Sequence, residues 1–398
     1  MSSPSSPEPE DALLMVAGEA SGDLHGARLL SELQALHPRV RAFGLGGDEM
    51  TAAGFDAMAH SREIAVVGIT EALRILPKAW QIFQGLLAEV DRRGARTAVL
   101  IDSPDFNLRL AKKLHARGVR VIYYISPQLW AWRRGRIRIV QRYVDKMLVL
   151  FPFEKDFYDE HGVDACHVGH PLIDEVPALP QAWDESATAD TPRTVALLPG
   201  SRKSEVRRIL PLQLAAAARM VELLQAQNIE LRLRLIQAPT VPSELFDRLI
   251  DESPLDPERL ERVKSERFRA ISGSHLALCA SGTATIEVGL LGTPMVVVYR
   301  ISPASAFLAR LLLKLEHVAM VNLVLGRGVV PELLQGDAAP DNVARQAAEL
   351  LVDRDAIAQM RDGLGELRQS LGAEGGASKR AAQEVAAVLQ APAEGSAS

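Results

Sequence analysis

The sequence predicts an α/β protein built from two doubly wound parallel sheets. Two observations carry this: apolar runs of strand length alternate with amphipathic segments in the first half of the chain, and the alternation restarts after an acidic, Pro-containing gap. Length agrees, because 398 residues exceed what one hydrophobic core usually organises.

Taken in order, the predicted strand Ala12–Ala17 precedes a helix from Leu24 to Leu36 that lines up Leu29, Leu33 and Leu36 on one stripe. Strand Thr97–Ile101 leads to a helix from Phe106 to Ala116, strand Arg120–Ile125 to one from Arg134 to Tyr143, and strand Lys146–Phe151 to one from Glu154 to Glu160. Across 175–193 periodicity lapses into acids, Ser, Thr and Pro, the composition of a linker. Alternation resumes with strand Thr194–Leu198 and a helix from about Ser204 to Ala226, then strand Leu231–Ile236 and a helix around Ser243–Asp251. Strand His275–Ala280, helix Thr283–Leu291 and strand Pro294–Tyr299 follow, and Asp341 to Leu389 reads as helix broken at Gly372–Gly376. The expected organisation is a disordered leader at 1–11, a first domain at 12–174, the linker at 175–193, a second domain at 194–340 and a helical tail at 341–398. In such sheets ligands bind beyond the carboxyl ends of the strands, and two such domains most usefully enclose a substrate between them.

Composition narrows the function. A formal net charge of −5 gives no global attraction to polyanions, so nucleic acid is not an expected partner. Cys166 and Cys279 lie far apart and outside any C-x-x-C pattern, which argues against a disulfide framework or a cysteine-based zinc site and fits a reducing cytoplasm. The opening MSSPSSPEPED lacks the basic start and apolar core of a secretory signal, and charged residues interrupt every candidate membrane span. A soluble or peripheral protein is expected.

The strand-end loops hold the reactive groups. In IDSPDFN, Asp102 and Asp105 follow a strand and precede a helix; Asp105 is expected to cap the helix, leaving Asp102 as either a satisfied loop acid or a general base. In LLPGSRKSEV, Gly200, Ser201 and Arg202 turn from strand to helix, where backbone N–H groups and the helix dipole favour a phosphate. ASGTATIE repeats that pattern with Ser281, Gly282 and Thr283, and Glu287 one turn in could bond ribose hydroxyls or cap the first turn. In YYISPQLWAWRRGRI, aromatics stand beside arginines, an arrangement suited to stacking or to a membrane surface, with Arg138 and Arg142 expected on a solvated face. His25 and His170 occupy a helix start and a loop, and no histidine pair has metal-ligand spacing. Gly18, Gly22 and Gly26 recur every four residues rather than as G-x-G-x-x-G, and neither G-x-x-x-x-G-K-[ST] nor G-x-S-x-G occurs. No metal, nicotinamide or other cofactor is expected.

Read together, AGEASGDLHGA, FGLGGDEM, VVGITEAL, IDSPDFN, YYISPQLWAWRRGRI, LFPFEKDFYDEHGV, VGHPLID, LLPGSRKSEV, ASGTATIEVGLLGTPMVVVYR and VNLVLGRGVVPELLQ resemble the lipid-A-disaccharide synthase family of glycosyltransferases, in order from about Leu13 to Gln335. The resemblance implies two Rossmann-like domains in a GT-B-type fold, with the nucleotide carried mainly by the second. It implies inverting transfer from UDP-2,3-diacylglucosamine to the 6-hydroxyl of 2,3-diacylglucosamine 1-phosphate, with UDP released. On that resemblance Asp102 matches the family's proposed base. Gly200, Ser201, Arg202, Ser281, Gly282, Thr283, Glu287, Asn322 and Arg327 fall to the donor, and Gly18, Glu19, Ser21, His25, Ser126, Trp130 and Arg133 to the acceptor or cleft. Acylated substrates imply a cytoplasmic enzyme peripheral to the inner membrane, meeting an anionic surface through Ile69 to Phe83 or Phe307 to Leu315; a homodimer is compatible with the sequence. The Ser/Pro-rich leader and the acidic spacer at 182–192 depart from the family pattern without touching a motif. A UDP-sugar epimerase or a different lipid-linked glycosyltransferase, and a non-catalytic nucleotide-sensing or membrane-adaptor protein, are the rival readings.

Overall fold

The computed structural model describes residues 11–63, 69–130, 134–183, 192–300, 317–372 and 375–391. The chain forms two compact units, one running to Pro171 and taking in the last helix, the other from Leu172 to residue 373.

The first unit is a seven-stranded parallel sheet made of β1 (Asp11–Ala17), β2 (Val40–Gly46), β3 (Asp56–His60), β4 (Thr97–Ile101), β5 (Arg120–Tyr124), β6 (Lys146–Val149) and β7 (Ala165–His167). Its spatial order is β3-β2-β1-β4-β5-β6-β7, so the direction of winding reverses between β1 and β4. Those two strands are the centre of the core: Leu13 to Ala17 and Ala98 to Ile101 are fully buried. Apolar runs covered on both faces are what a parallel sheet requires.

The second unit repeats the plan with β8 (Arg193–Leu198), β9 (Leu231–Ile236), β10 (Leu260–Val263), β11 (Leu276–Ala280), β12 (Met295–Tyr299) and β13 (Glu332–Leu334). The order β10-β9-β8-β11-β12-β13 places its reversal between β8 and β11. Strands β2, β3, β7, β10 and β13 escape the sequence pattern for a physical reason. β2 carries Gly44, Gly46 and Arg41, β3 is an exposed edge, β7 and β13 are three residues long, and β10 reads LERV at the opposite edge.

Several boundaries shift. The first helix begins at Ala20 rather than Leu24, and β8 starts at Arg193 inside the expected linker. The expected linker also loses its first part to the second unit, where Ala182 N donates to Ser272 O at 3.0 Å. The tail divides: helices Pro340–Val352 and Arg354–Ser370 belong to the second unit, whereas Ala377–Gln390 packs along helix Ala20–Leu36 in the first, where Arg380 Nε donates to Val168 O at 2.8 Å. Leader residues 1–10, spacer residues 184–191, Arg133 and the stretch Phe307 to Leu315 lie outside the described residues. Among the described residues no helix is long and apolar enough to cross a membrane.

Candidate active site

At the crossing point of the first sheet, β1 delivers Gly18, Glu19 and Ser21 while neighbouring β4 delivers Asp102. Glu19 and Ser21 are exposed and His25, one turn into the helix, is half-buried. Asp102 and Ser103 both take left-handed backbone, with φ of 48° and 45°. Two consecutive non-glycine residues there are strained and persist only when their surroundings hold them. The hold is visible. Asp102 N donates to Tyr124 O at 3.0 Å, and the Asp102 carbonyl accepts from Asn107 Nδ2 at 2.8 Å and from the Tyr123 hydroxyl at 2.5 Å. Asn107 is fully buried and its Nδ2 also reaches Ile101 O at 3.0 Å. The buried Tyr123 phenol is pushed well above its ordinary pKa by burial and then by the Asp102 charge, so it remains a donor. The backbone is clamped so that the carboxylate leaves the strand at the sheet's carboxyl edge.

The expected cap at Asp105 is not formed. Pro104 occupies the first helical position, which makes Ser103 the cap residue, and Asp105 lies in the first turn, ion-paired with Arg136. Its charge still complements the helix dipole.

Beside Asp102, β5 ends at Ile125, a β-branched residue with φ of 66° whose amide donates to Leu148 O at 3.1 Å. Ser126 and Trp130 are buried and meet on one side chain that sequence reasoning did not single out, Glu154. Glu154 Oε1 accepts from Ser126 Oγ at 2.7 Å and Trp130 Nε1 at 3.3 Å; Oε2 accepts from Leu150 N and Phe151 N, each at 3.2 Å. Burial pushes its pKa up to about 7 against the pull of those four donors. Behind it His170 packs on Phe151 at 5.2 Å between centroids, and burial, then the charge of His25, pushes its pKa down to about 3. A second overlooked carboxylate is the buried Asp23, which accepts from Gly47 N at 2.6 Å, Glu49 N at 3.0 Å and Met50 N at 3.1 Å and so fixes the loop after β2. An acid in the first turn of a helix that follows a central strand was the available sequence signal for it.

At the crossing point of the second sheet, β8 and β11 end in the two turns the sequence paired. Gly200 has φ of 107° and Gly282 φ of 143°, values that favour glycine. The fully buried Gln213 ties the two strand ends together, its Nε2 donating to Leu198 O at 3.3 Å and Leu278 O at 2.9 Å. The two turns offer an anion different things. Ser201 N and Arg202 N both donate to Glu205 Oε2, at 3.1 and 3.2 Å, so those amides are engaged within the chain. The first turn therefore presents the Arg202 guanidinium, whose side chain is 75% exposed. The second presents the start of helix Thr283–Leu290, whose cap residue Gly282 lends no side-chain cap. A Cβ built on Gly282 would meet no atom within 4 Å, so the backbone there is open to approach.

Glu287 is the fifth residue of that helix and does not cap it. Its carboxylate lies 3.2 Å from Arg267 Nη2, and burial raises its pKa against the pull of Arg267. Ser281 Oγ donates to Val318 O at 3.2 Å. Asn322 connects to this group through Glu332, whose Oε2 accepts from Val318 N at 2.8 Å and whose Oε1 accepts from Asn322 Nδ2 at 2.7 Å, while Val318 O accepts from Ser281 Oγ. Buried Asn322 accepts from Val329 N and Val330 N and donates to Val330 O and Glu332 Oε1, which commits both ends of its amide. Register Val297↔Glu332 puts residues 327–331 toward the amino edge of the sheet, where Arg327 pairs with Glu366 at 2.7 Å.

Two parallel α/β units, each with its candidate residues at the carboxyl ends of its crossing strands, define a GT-B-type fold. MurG from Acinetobacter baumannii shares it with a TM-score of 0.58 at 14% identity over 95% of this chain and 100% of that one. So does UDP-GlcNAc 2-epimerase from Neisseria meningitidis bound to UDP-GlcNAc, at 0.59 and 12% over 96% and 100%. Sequence separates what the fold shares: the family described as lipid-A-disaccharide synthetase matches residues 13–387, and the chain belongs to it. It is 44% identical to lipid-A-disaccharide synthase of Myxococcus xanthus over 95% of this chain and 97% of the relative, and 45% identical to that of Koribacter versatilis over 95% and 98%. The chain is therefore a glycosyltransferase of lipid A biosynthesis.

Proposed function

We propose that the chain transfers 2,3-diacylglucosamine from UDP-2,3-diacylglucosamine to the 6-hydroxyl of 2,3-diacylglucosamine 1-phosphate, giving a β-1,6-linked disaccharide 1-phosphate and UDP. The supporting observation is the family match over residues 13–387 joined to a carboxylate, Asp102, held at the crossing point of a parallel sheet. In this reading Asp102 removes the proton as the 6-oxygen attacks the anomeric carbon. The C1–O bond to the diphosphate breaks on the opposite face, inverting α to β, and the electron pair leaves on UDP. The helix start at Gly282 and Thr283 meets the developing negative charge with backbone groups already in place, the exposed Arg202 guanidinium turns to it from its 3.4 Å contact with Glu205 Oε1, and Glu287 faces the ribose. Gly18, Glu19, Ser21 and His25 border the acceptor from β1, and Ser126 and Trp130 from β5.

The acylated substrates call for a lipid surface, and helix Ile69–Arg93 offers Leu76 and Trp80, one turn apart and 55% and 60% exposed. That face supports peripheral contact with an anionic inner-membrane leaflet. The deciding experiment is UDP release by the purified chain in detergent micelles, given the donor with and without the acceptor. Release that needs both lipids and matches disaccharide phosphate mole for mole supports the reading; UDP-sugar conversion without acceptor would replace it with an epimerase.

A further inference from the structure

Glu154 has two halves. Oε2 caps its own helix, Pro152–Glu160, through Leu150 N and Phe151 N, and a stabilising cap needs no more than this. Oε1 reaches out of the helix to Ser126 Oγ and Trp130 Nε1, which are 28 and 24 residues away in the chain. One turn further along the same helix face, the Tyr158 hydroxyl points to Pro127 O at 3.4 Å. The segment so gripped begins at Ile125, whose left-handed backbone a β-branched residue adopts only under constraint. It leaves β5 directly beside Asp102, whose amide donates to Tyr124 O and whose carbonyl accepts from Tyr123. Trp130 is in turn packed edge-on against Phe153, 4.9 Å between centroids, from the first turn of that helix.

We propose that Glu154 is a positioning residue for the acceptor: its carboxylate fixes the turn from Ser126 to Trp130 against Asp102, so that the acceptor hydroxyl is held where Asp102 can take its proton. This rests on the proposed function, which gives that turn to the acceptor. A buried carboxylate that holds two side chains on a strained turn adds geometry at a distance to its helix capping, and errors of an ångström in such geometry cost rate steeply.

The test uses the full chain and both lipids. Glu154→Gln is expected to raise the acceptor KM about tenfold while UDP binding, which depends on the other unit, stays at the wild-type value. Ser126→Ala is expected to raise KM less, and Glu154→Gln with Ser126→Ala to be no worse than Glu154→Gln alone, because the two share one interaction. In a Trp130→Phe background Glu154→Gln is expected to leave the tryptophan emission unchanged, whereas in the wild-type background it shifts it. A folded Glu154→Gln chain with wild-type acceptor KM overturns the proposal, as do KM effects that multiply independently in the double variant. Should Glu154→Gln fail to fold, Ser126→Ala and Trp130→Phe, which leave the helix cap intact, carry the same test: unchanged acceptor KM in both overturns it. If the wild-type chain makes no disaccharide, the proposed function fails first, an outcome distinct from active wild type with silent variants.

Discussion

The two crossing points solve opposite problems with the same sheet. At the crossing point of the second unit the turn residues at positive φ are glycines, Gly200 and Gly282, and at Gly282 the backbone is open to approach. In the first unit the same sharp exit from a central strand is made by Asp102 and Ser103, which have side chains and bear the strain. Both turns are steadied by a buried amide from the following helix, Asn107 in one and Gln213 in the other. The difference teaches what each turn is for. In the proposed reading, the glycine turn at Gly282 offers backbone to the diphosphate, whereas the turn at Asp102 has to carry a side chain to supply the base.

The largest break in that comparison comes from removing the delivered side chain. Asp102→Ala should lower kcat by about 10²–10⁴-fold, read in a steady-state assay saturated with both lipids. Next, Gly282→Ala puts a Cβ on a backbone essentially reserved for glycine and should cost about 1–3 kcal/mol of stability, measured by denaturant unfolding, and weaken UDP binding in titration calorimetry. Arg202→Ala removes an exposed cation and should weaken UDP binding by about tenfold, near 1.4 kcal/mol, with the structure's stability unchanged.

A smaller effect concerns pH. The Glu154 carboxyl ordinarily titrates at 4.5 and burial pushes it up to about 7. The folded chain thus holds this proton more tightly than the unfolded one, so its contribution is full below about pH 4.5 and is lost as pH rises to about 7. The Tm difference, wild type minus Glu154→Gln, should fall by several degrees across that window, on the order expected for ~3 kcal/mol. His170 and His275, pushed down to about 3 and about 4 chiefly by burial, slope the other way in both proteins and cancel in the difference. Smallest is Asp105→Asn: an exposed pair with Arg136 is worth less than ~1 kcal/mol, and a Tm change beyond that range would mean Asp105 does more than decorate the first turn.

The central strands were legible because burial on both faces writes itself as an unbroken apolar run, as in β4, TAVLI, and β12, MVVVY. Edge strands such as β10, LERV, set two charges between two apolar residues over only four positions and merge with loops. Asp102, Gly200 and Gly282 were legible because each sits where a run ends. Asp105 has the residue type of a cap, but Pro104 marks the first helical position and so makes Ser103 the cap residue. Asn322 and Arg327 read as site residues by motif; in the structure Asn322 holds Val329 N and Val330 N and shares Glu332 with the Val318 amide, and Arg327 pairs with Glu366. Glu154 could not be found locally, because what it holds leaves β5, 24 and 28 residues earlier in the chain.

The division of labour between the two crossing points is tested most directly by measuring single-turnover transfer and UDP binding side by side on Asp102→Asn. The account predicts transfer lost by at least about a hundredfold with UDP affinity within about twofold of wild type. Near-normal transfer, or a loss of UDP binding as large as the loss of transfer, would contradict it.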